Sequence, residues 1–183
     1  MEALDNLFIE IVRDEATGDF AYLDDIEENL ERYGEHLAVL SDGLFDRKIN
    51  NEIVAFPGEL PSLMITDDHF GLEKSGLKVD PILITYEKTD SIDEESECFY
   101  ITVSVRLDFD SKFSNLLKKP LKEWNRGPHI SQIDADDQGS VFFFHRTTEY
   151  GEIVSAGAVE LMLYTLSLEV KDFISIVKNS LGR

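Results

Sequence analysis

The stretch from Phe99 to Phe109, F-Y-I-T-V-S-V-R-L-D-F, decides the fold. Every second residue from Phe99 onward is apolar, and the residues between them are mostly polar. Alternation with a period of two over eleven residues predicts a long β-strand with one buried face and one wet face. The buried face requires a layer of other elements, which the flanking sequence must supply.

The sequence after this strand predicts two helices and a hairpin. Apolar residues at helical spacing predict a helix over 113–124, with a kink or a break at Pro120. Residues 136–139, Asp-Asp-Gln-Gly, predict the turn of a hairpin over 129–147. A long helical pattern over 154–181 follows. This order of elements predicts an α+β fold, in which helices pack on an antiparallel β-sheet.

The sequence before the strand predicts two helices and several shorter strands. Helical spacing of apolar residues predicts a first helix over 4–12 and a second over 24–40. Two short strands are expected within 49–66 and a third over 81–86. Residues 67–80 are polar and contain glycine, so we expect a loop there. The fold should therefore carry an additional N-terminal helical segment.

The composition predicts one folded domain. Hydrophobic residues make up 43% of the 183 residues, with 12 Phe, which is enough for a core in spite of the high charge. We expect a single domain over 1–183, with a helical N-terminal segment over 1–45 and the sheet with its packing helices over 49–183. The N-terminus does not resemble a signal peptide, and apolar runs are shorter than the ~18 residues of a membrane span. The expected location is the cytoplasm.

The net charge of −20 is concentrated in the first half of the chain. Residues 1–100 hold 26 acidic and 7 basic side chains, whereas residues 101–183 hold 11 and 10. Such a charge should repel nucleic acids and anionic membranes and attract a basic protein partner. Glu27, Glu28 and Glu31 lie opposite the apolar stripe of the second predicted helix, so we expect them to contact or steer that partner. Alternatively, these glutamates form only a solvated surface that keeps the protein soluble.

The residue patterns indicate neither catalysis nor a metal or cofactor site. The single cysteine, Cys98, excludes a cysteine-based zinc cluster, and the four histidines lack the spacing of metal ligands. Residues 134–139 partly resemble a calcium-binding loop, but its twelfth position would be His145 instead of Glu. The motifs of hydrolases and nucleotide-binding loops are absent. We therefore expect a protein that is not an enzyme and needs no cofactor.

The second strand of the hairpin is apolar on both faces. Val141 and Phe143 alternate with Phe142 and Phe144, and one helix cannot cover both sets. We expect Phe142 and Phe144 to contact a partner, or Val141 and Phe143 if the core takes the other face. A symmetric homodimer would bury the remaining apolar surface.

A basic cluster surrounds the helix over 113–124. Its members are Lys118, Lys119, Lys122 and Arg126. In a chain of such strong negative charge, we interpret the cluster as one half of a charge match, either within the chain or across a dimer.

The order of strand, helix, hairpin and long helix over about residues 97–181 resembles the C-terminal half of the YbjN-like and type III secretion chaperone-like group. The resemblance lies in the helix ending at Asn125-Arg126, the hairpin over 130–144 and the end of the long helix over 170–177. It implies a small, acidic, often dimeric and non-enzymatic bacterial protein. Secretion chaperones of this group bind an extended segment of another protein along apolar patches. The alternative from another class is an immunity-type inhibitor, an acidic protein that plugs the cationic cleft of a nuclease toxin.

Overall fold

A computed structural model describes residues 9–11, 23–55, 60–72, 77–89, 98–109, 114–136, 139–150 and 155–180. The helices are α1 (Leu23–Asp46), α2 (Ser114–Trp124) and α3 (Ala156–Ser180). The strands are β1 (Ile9–Ile11), β2 (Asn51–Ala55), β3 (Ser62–Ile65), β4 (Lys78–Val79), β5 (Leu83–Thr89), β6 (Cys98–Asp108), β7 (Gln132–Ala135) and β8 (Ser140–Tyr150). None of the described helices is long and apolar enough to cross a membrane.

All eight strands belong to one sheet, and the predicted α+β fold is confirmed. The strand order is β1-β2-β3-β5-β6-β8-β7, and β4 pairs with the end of β6. Strands β2 to β8 pair antiparallel, whereas β1 joins β2 in parallel. β6 is the strand predicted from its alternation, and it pairs with β8 over its whole length, from Cys98 opposite Tyr150 to Asp108 opposite Ser140.

The helices cover one face of the sheet. α1 contacts β2, β3 and β5, and α3 contacts β6 and β8. The inward-facing residues of β6 beneath this layer are at most 3% exposed, namely Ile101, Val103, Val105 and Leu107. The residues between them are half-buried on the opposite face, which we call the open face. Removal of apolar area from water on the covered face, at roughly 25 cal/mol per Å², is the main stabilising contribution.

Trp124 joins α2 to the core. The indole is 1% exposed, and its ring makes edge contacts with Phe143 and Phe173 at centroid distances of 5.9 and 5.6 Å. His129 stacks on the same ring at 3.5 Å. Pro120 lies buried inside α2, and the helix continues past it to Trp124, so the helix is not broken at this residue.

Three predictions from the sequence are wrong. The helix predicted over 24–40 continues to Asp46 as α1. Ile9–Ile11, inside the helix predicted over 4–12, forms β1 beside Ile53–Ala55. The segment over 1–45 is therefore not wholly helical. A β-branched residue suits either structure, and the free edge of β2 supplies backbone partners that a local pattern cannot reveal. Lys78–Val79, predicted as part of a loop, forms β4 against β6. The other residues of the helix predicted over 4–12 lie outside the described part of the chain.

Candidate functional site

The two apolar sets of β8 lie on different faces of the sheet. Val141 and Phe143 are fully buried beneath the helices. Phe142 and Phe144 lie on the open face, where Phe142 is 37% exposed and Phe144 is half-buried. The core therefore takes Val141 and Phe143, and Phe142 and Phe144 remain the candidate contact residues.

Phe144 belongs to an apolar band that crosses the open face. The strand registers place it beside Ser104, which lies beside Leu83, which in turn lies beside Met64. Leu83 and Met64 are half-buried, like Phe144. The band combines apolar atoms with partial solvent access over four neighbouring strands, which is the composition expected of a contact surface.

Phe142, two residues before Phe144 on β8, borders a cavity of about 380 Å³ beside this band. The lining side chains include Asp80, Pro81, Leu83 and Arg106. The guanidinium carbon of Arg106 lies 5.6 Å from the centroid of the Phe142 ring, within the range of a cation–π contact. This contact holds the ring at the surface beside the cavity.

A cluster of ion pairs fixes Arg106. Nε of Arg106 and Nζ of Lys78 each lie 3.0 Å from a carboxylate oxygen of Asp108. The Ser140 hydroxyl donates to the same carboxylate at 3.0 Å and accepts a hydrogen bond from Arg106 at 2.9 Å. The hydrogen bond from Lys78 lowers the pKa of Asp108, and the same bond raises the pKa of Lys78. These charges are paired, so the cluster positions Arg106 and offers no free acid or base.

A second polar arrangement lies on the covered side of the sheet. The carboxylate of Glu169 on α3 accepts hydrogen bonds from the backbone N–H groups of Ile130 and Ser131 at 2.8 and 2.7 Å. Burial alone would raise the pKa of Glu169, but hydrogen bonds from Ser131 and Ile130 outweigh it, and the pKa is lowered. Sequence reasoning missed this contact, because no local pattern relates a mid-helix glutamate to a loop 38 residues earlier in the chain.

His145 lies near this arrangement without completing a catalytic pair. Burial lowers the pKa of His145, against the opposing attraction of Glu169. Its Nδ1 atom is buried and has no hydrogen-bond partner among the described residues. Glu169 is already engaged by backbone donors, so it does not orient the imidazole as a general base requires.

Acidic residues in two turns accept hydrogen bonds from nearby backbone groups, among them Asp136 of the segment that partly resembles a calcium-binding loop. A carboxylate oxygen of Asp136 accepts from the backbone of Ser140 at 2.8 Å, within the hairpin that was predicted. Asp67 accepts from the backbone N–H of His69 and from the amide of Asn50. The described parts of the chain contain no group of three potential ligands arranged to hold a metal ion.

The acidic candidates lie apart from the aromatic ones. Glu28 and Glu31 are exposed on α1, which packs on the covered face, whereas Phe142 and Phe144 lie on the open face. The side chain of Glu27 lies outside the described part of the structure. The predicted contact residues therefore form two separate surfaces.

No protein-family model matches this chain, and the curated proteins compared with it gave no match either. Proposals about its function rest on the sequence and on the geometry described above.

Proposed function

We propose that this chain is a non-enzymatic, chaperone-like binding protein that engages a partner polypeptide through the open face of its sheet. The observation that carries the proposal is Phe142, a large aromatic side chain held at the surface by Arg106 beside a cavity. Aromatic residues, phenylalanine included, and arginine are enriched at the centre of protein interfaces, and arginine is among the side chains that most often dominate the binding energy. The surrounding ion pairs would form the polar rim of such a contact.

The overall charge indicates the chemistry of the partner. A molecule of net charge −20 attracts a basic polypeptide over long distances and repels nucleic acid and anionic membranes. Acidic surfaces would thus set the association rate, and the apolar band around Phe144 would set the lifetime of the complex. A bacterial cytoplasmic setting fits the family resemblance noted above.

Site-specific photo-crosslinking tests the proposal. A benzoylphenylalanine placed at position 142 or 144, in the organism that makes the protein, should form a covalent adduct with a basic polypeptide. The matched control is position 45, because Phe45 is also a surface phenylalanine, 49% exposed, on the helical side of the molecule. Adducts at position 45 with a polypeptide other than a second copy of this chain, and none at positions 142 and 144, would refute an open-face site.

An immunity-type inhibitor is the second candidate function. The observation in its favour is that the exposed carboxylates of Glu28 and Glu31 have no cationic partner among the described residues. A crosslinker at position 28 that captures a nuclease, together with loss of that nuclease's activity on mixing, would support this reading. Capture at position 142 alone would exclude it.

A further inference from the structure

We propose that the helical layer is the interface of a homodimer, in which a second copy of this chain packs on α3 about a two-fold axis. This inference does not depend on the proposed function, because it uses the side of the molecule opposite to the open face. It also differs from the dimer predicted from the sequence, which would use the remaining apolar surface of β8.

The centre of the surface is an apolar stripe on α3. Leu161, Tyr164 and Leu168 are 65%, 55% and 45% exposed, and their spacing of three and four residues places them along one side of the helix. The opposite side of α3 holds the residues buried against the sheet. A groove of about 560 Å³ runs beside the stripe, between α3 and the loop at His69 and Phe70. Exposed apolar side chains that lie side by side, with polar residues around them, are characteristic of interaction sites, whereas single exposed ones are common on any surface.

α3 is the middle helix of the layer. On one side Arg47, just after α1, forms an ion pair with Glu160 of α3. On the other side Trp124, at the end of α2, contacts Phe173 of α3. The apolar stripe is therefore flanked by α1 on one side and by α2 on the other.

The two flanks carry opposite charge. Glu28, Glu31 and Glu35 are exposed on α1. Lys118, Lys119 and Lys122 are exposed on α2. The one ion pair that these six side chains make within the described part of the chain joins Lys119 to Glu123, at 3.8 Å and at the surface. Because α3 separates the flanks, they do not neutralise each other within one molecule.

A two-fold axis that lies in the interface and runs parallel to α3 brings these opposite charges together. It places Leu161 and Leu168 against the same residues of the partner, and it brings the acidic α1 of each copy over the basic α2 of the other. The surface is thus complementary to itself, which identifies a second copy as the occupant. An apolar centre with a charged rim is the usual anatomy of such an interface.

The available area is close to that of a stable dimer. α1 and α3 contain 24 and 25 residues, so each is about 36 Å long at 1.5 Å per residue. A helix of this length and about 10 Å in diameter presents roughly 360 Å², so the two helices together offer roughly 700 Å². A standard interface buries about 800 Å² on each partner, and α2 adds to the contact.

Light scattering of the full chain tests the interface. The wild type at tens of micromolar should have twice the monomer mass of 20.8 kDa. The double variant Leu161→Asp, Leu168→Asp should be monomeric with an unchanged circular dichroism spectrum, because both side chains are exposed. Phe142→Asp is the matched control on the open face and should remain dimeric.

A charge swap tests the pairing of α1 with α2. Lys118, Lys119 and Lys122 changed to Glu should weaken the dimer about tenfold or more, and so should Glu28, Glu31 and Glu35 changed to Lys. Mixing the two variants should restore a dimer, since every flank then faces its opposite charge. A monomeric wild type, a dimer that survives the two aspartates, dissociation by Phe142→Asp, or a failed rescue would each overturn the proposal. Those outcomes leave crosslinking at position 142 unaffected.

Discussion

Two neighbouring phenylalanines on β8 have very different roles. Phe142 is 37% exposed and Phe143 is fully buried, and they are neighbours on one strand. Phe143→Ala should lower the free energy of unfolding by about 3–5 kcal/mol, because it opens a cavity in the core. Phe142→Ala should cost far less and should instead weaken partner binding. Urea denaturation of both variants measures the difference, and equal losses would contradict the assignment of faces.

Glu169 is expected to stabilise the chain between α2 and β7. Glu169→Ala leaves the N–H groups of Ile130 and Ser131 without their acceptor, and we expect a loss of about 1–3 kcal/mol in urea denaturation. Asp172→Ala, an exposed position on the same helix, is the control and should be nearly neutral.

The lowered pKa of Glu169 also predicts a pH dependence. The folded state holds its proton less tightly than the unfolded state does, so the stabilisation is present above the unfolded pKa of about 4.3 and is lost as the pH falls through the folded pKa. The stability difference between wild type and Glu169→Ala should therefore shrink in acid. A difference that stays constant down to the acid limit of folding would show that the carboxylate charge contributes nothing.

The lowered pKa of His145 predicts a second dependence of stability on pH, in a higher pH range than that of Glu169. Its pKa is lowered by burial, so the unfolded state binds a proton more readily than the folded state. Stability should decline as the pH falls from above the unfolded pKa of about 6.5 toward the folded value. His145→Gln should remove this part of the slope. Denaturation curves at pH 7.5 and 5.5 give the comparison, and parallel losses in both proteins would count against it.

At the scale of elements, the contact between α1 and α3 depends on a glycine. A Cβ atom at Gly43 would lie 2.7 Å from the Cβ of Ala156, which is too close for both to stay in place. Gly43→Ala should therefore destabilise the protein, although alanine is favoured by about 1 kcal/mol within a helix. Adding Ala156→Gly should restore much of the loss. If Gly43→Ala alone proves stabilising in thermal denaturation, the two helices do not pack this closely.

The elements that could be predicted from the sequence are those whose pattern is local. α1, β6, the hairpin of β7 and β8, and α3 all have a clear period of apolar residues and were predicted from it, although α1 ends at Asp46 and not at residue 40. β1 and β4 are short strands whose backbone partners lie far away in sequence, on β2 and β6. Their formation depends on a free strand edge, and a local pattern does not contain that information.

The strand that carries the candidate site, β8, could be predicted from the sequence, but the face of the sheet on which the site lies could not. Because β8 has apolar residues on both sides, either side could face the core, and the packing of α3 against β8 determines which side does. The cation–π contact of Phe142 with Arg106 and the apolar band around Phe144 follow from strand register. Register is set by the pairing of whole strands, so these contacts could not be read from single residues.

For the whole molecule, the remaining question is how the net charge of −20 acts. If it steers a basic partner, the association rate should fall steeply with salt, because exposed charges are screened over ~8 Å at physiological ionic strength. The variant Glu27→Lys, Glu28→Lys, Glu31→Lys should then bind more slowly at low salt, with the fold intact. Stopped-flow mixing with the polypeptide captured at position 142 measures the rates.

A matched control separates steering by the whole molecule from docking on α1. Asp67, Glu123 and Asp172 are exposed outside α1, and changing them to Lys alters the net charge by the same amount. Long-range steering responds to total charge, so we expect both triple variants to be slowed by similar factors, and the differences to vanish at high salt. A rate lowered in the α1 variant alone would place the partner directly on that helix. Equal rates for all three proteins at low salt would mean that the acidic surface maintains solubility and takes no part in recognition.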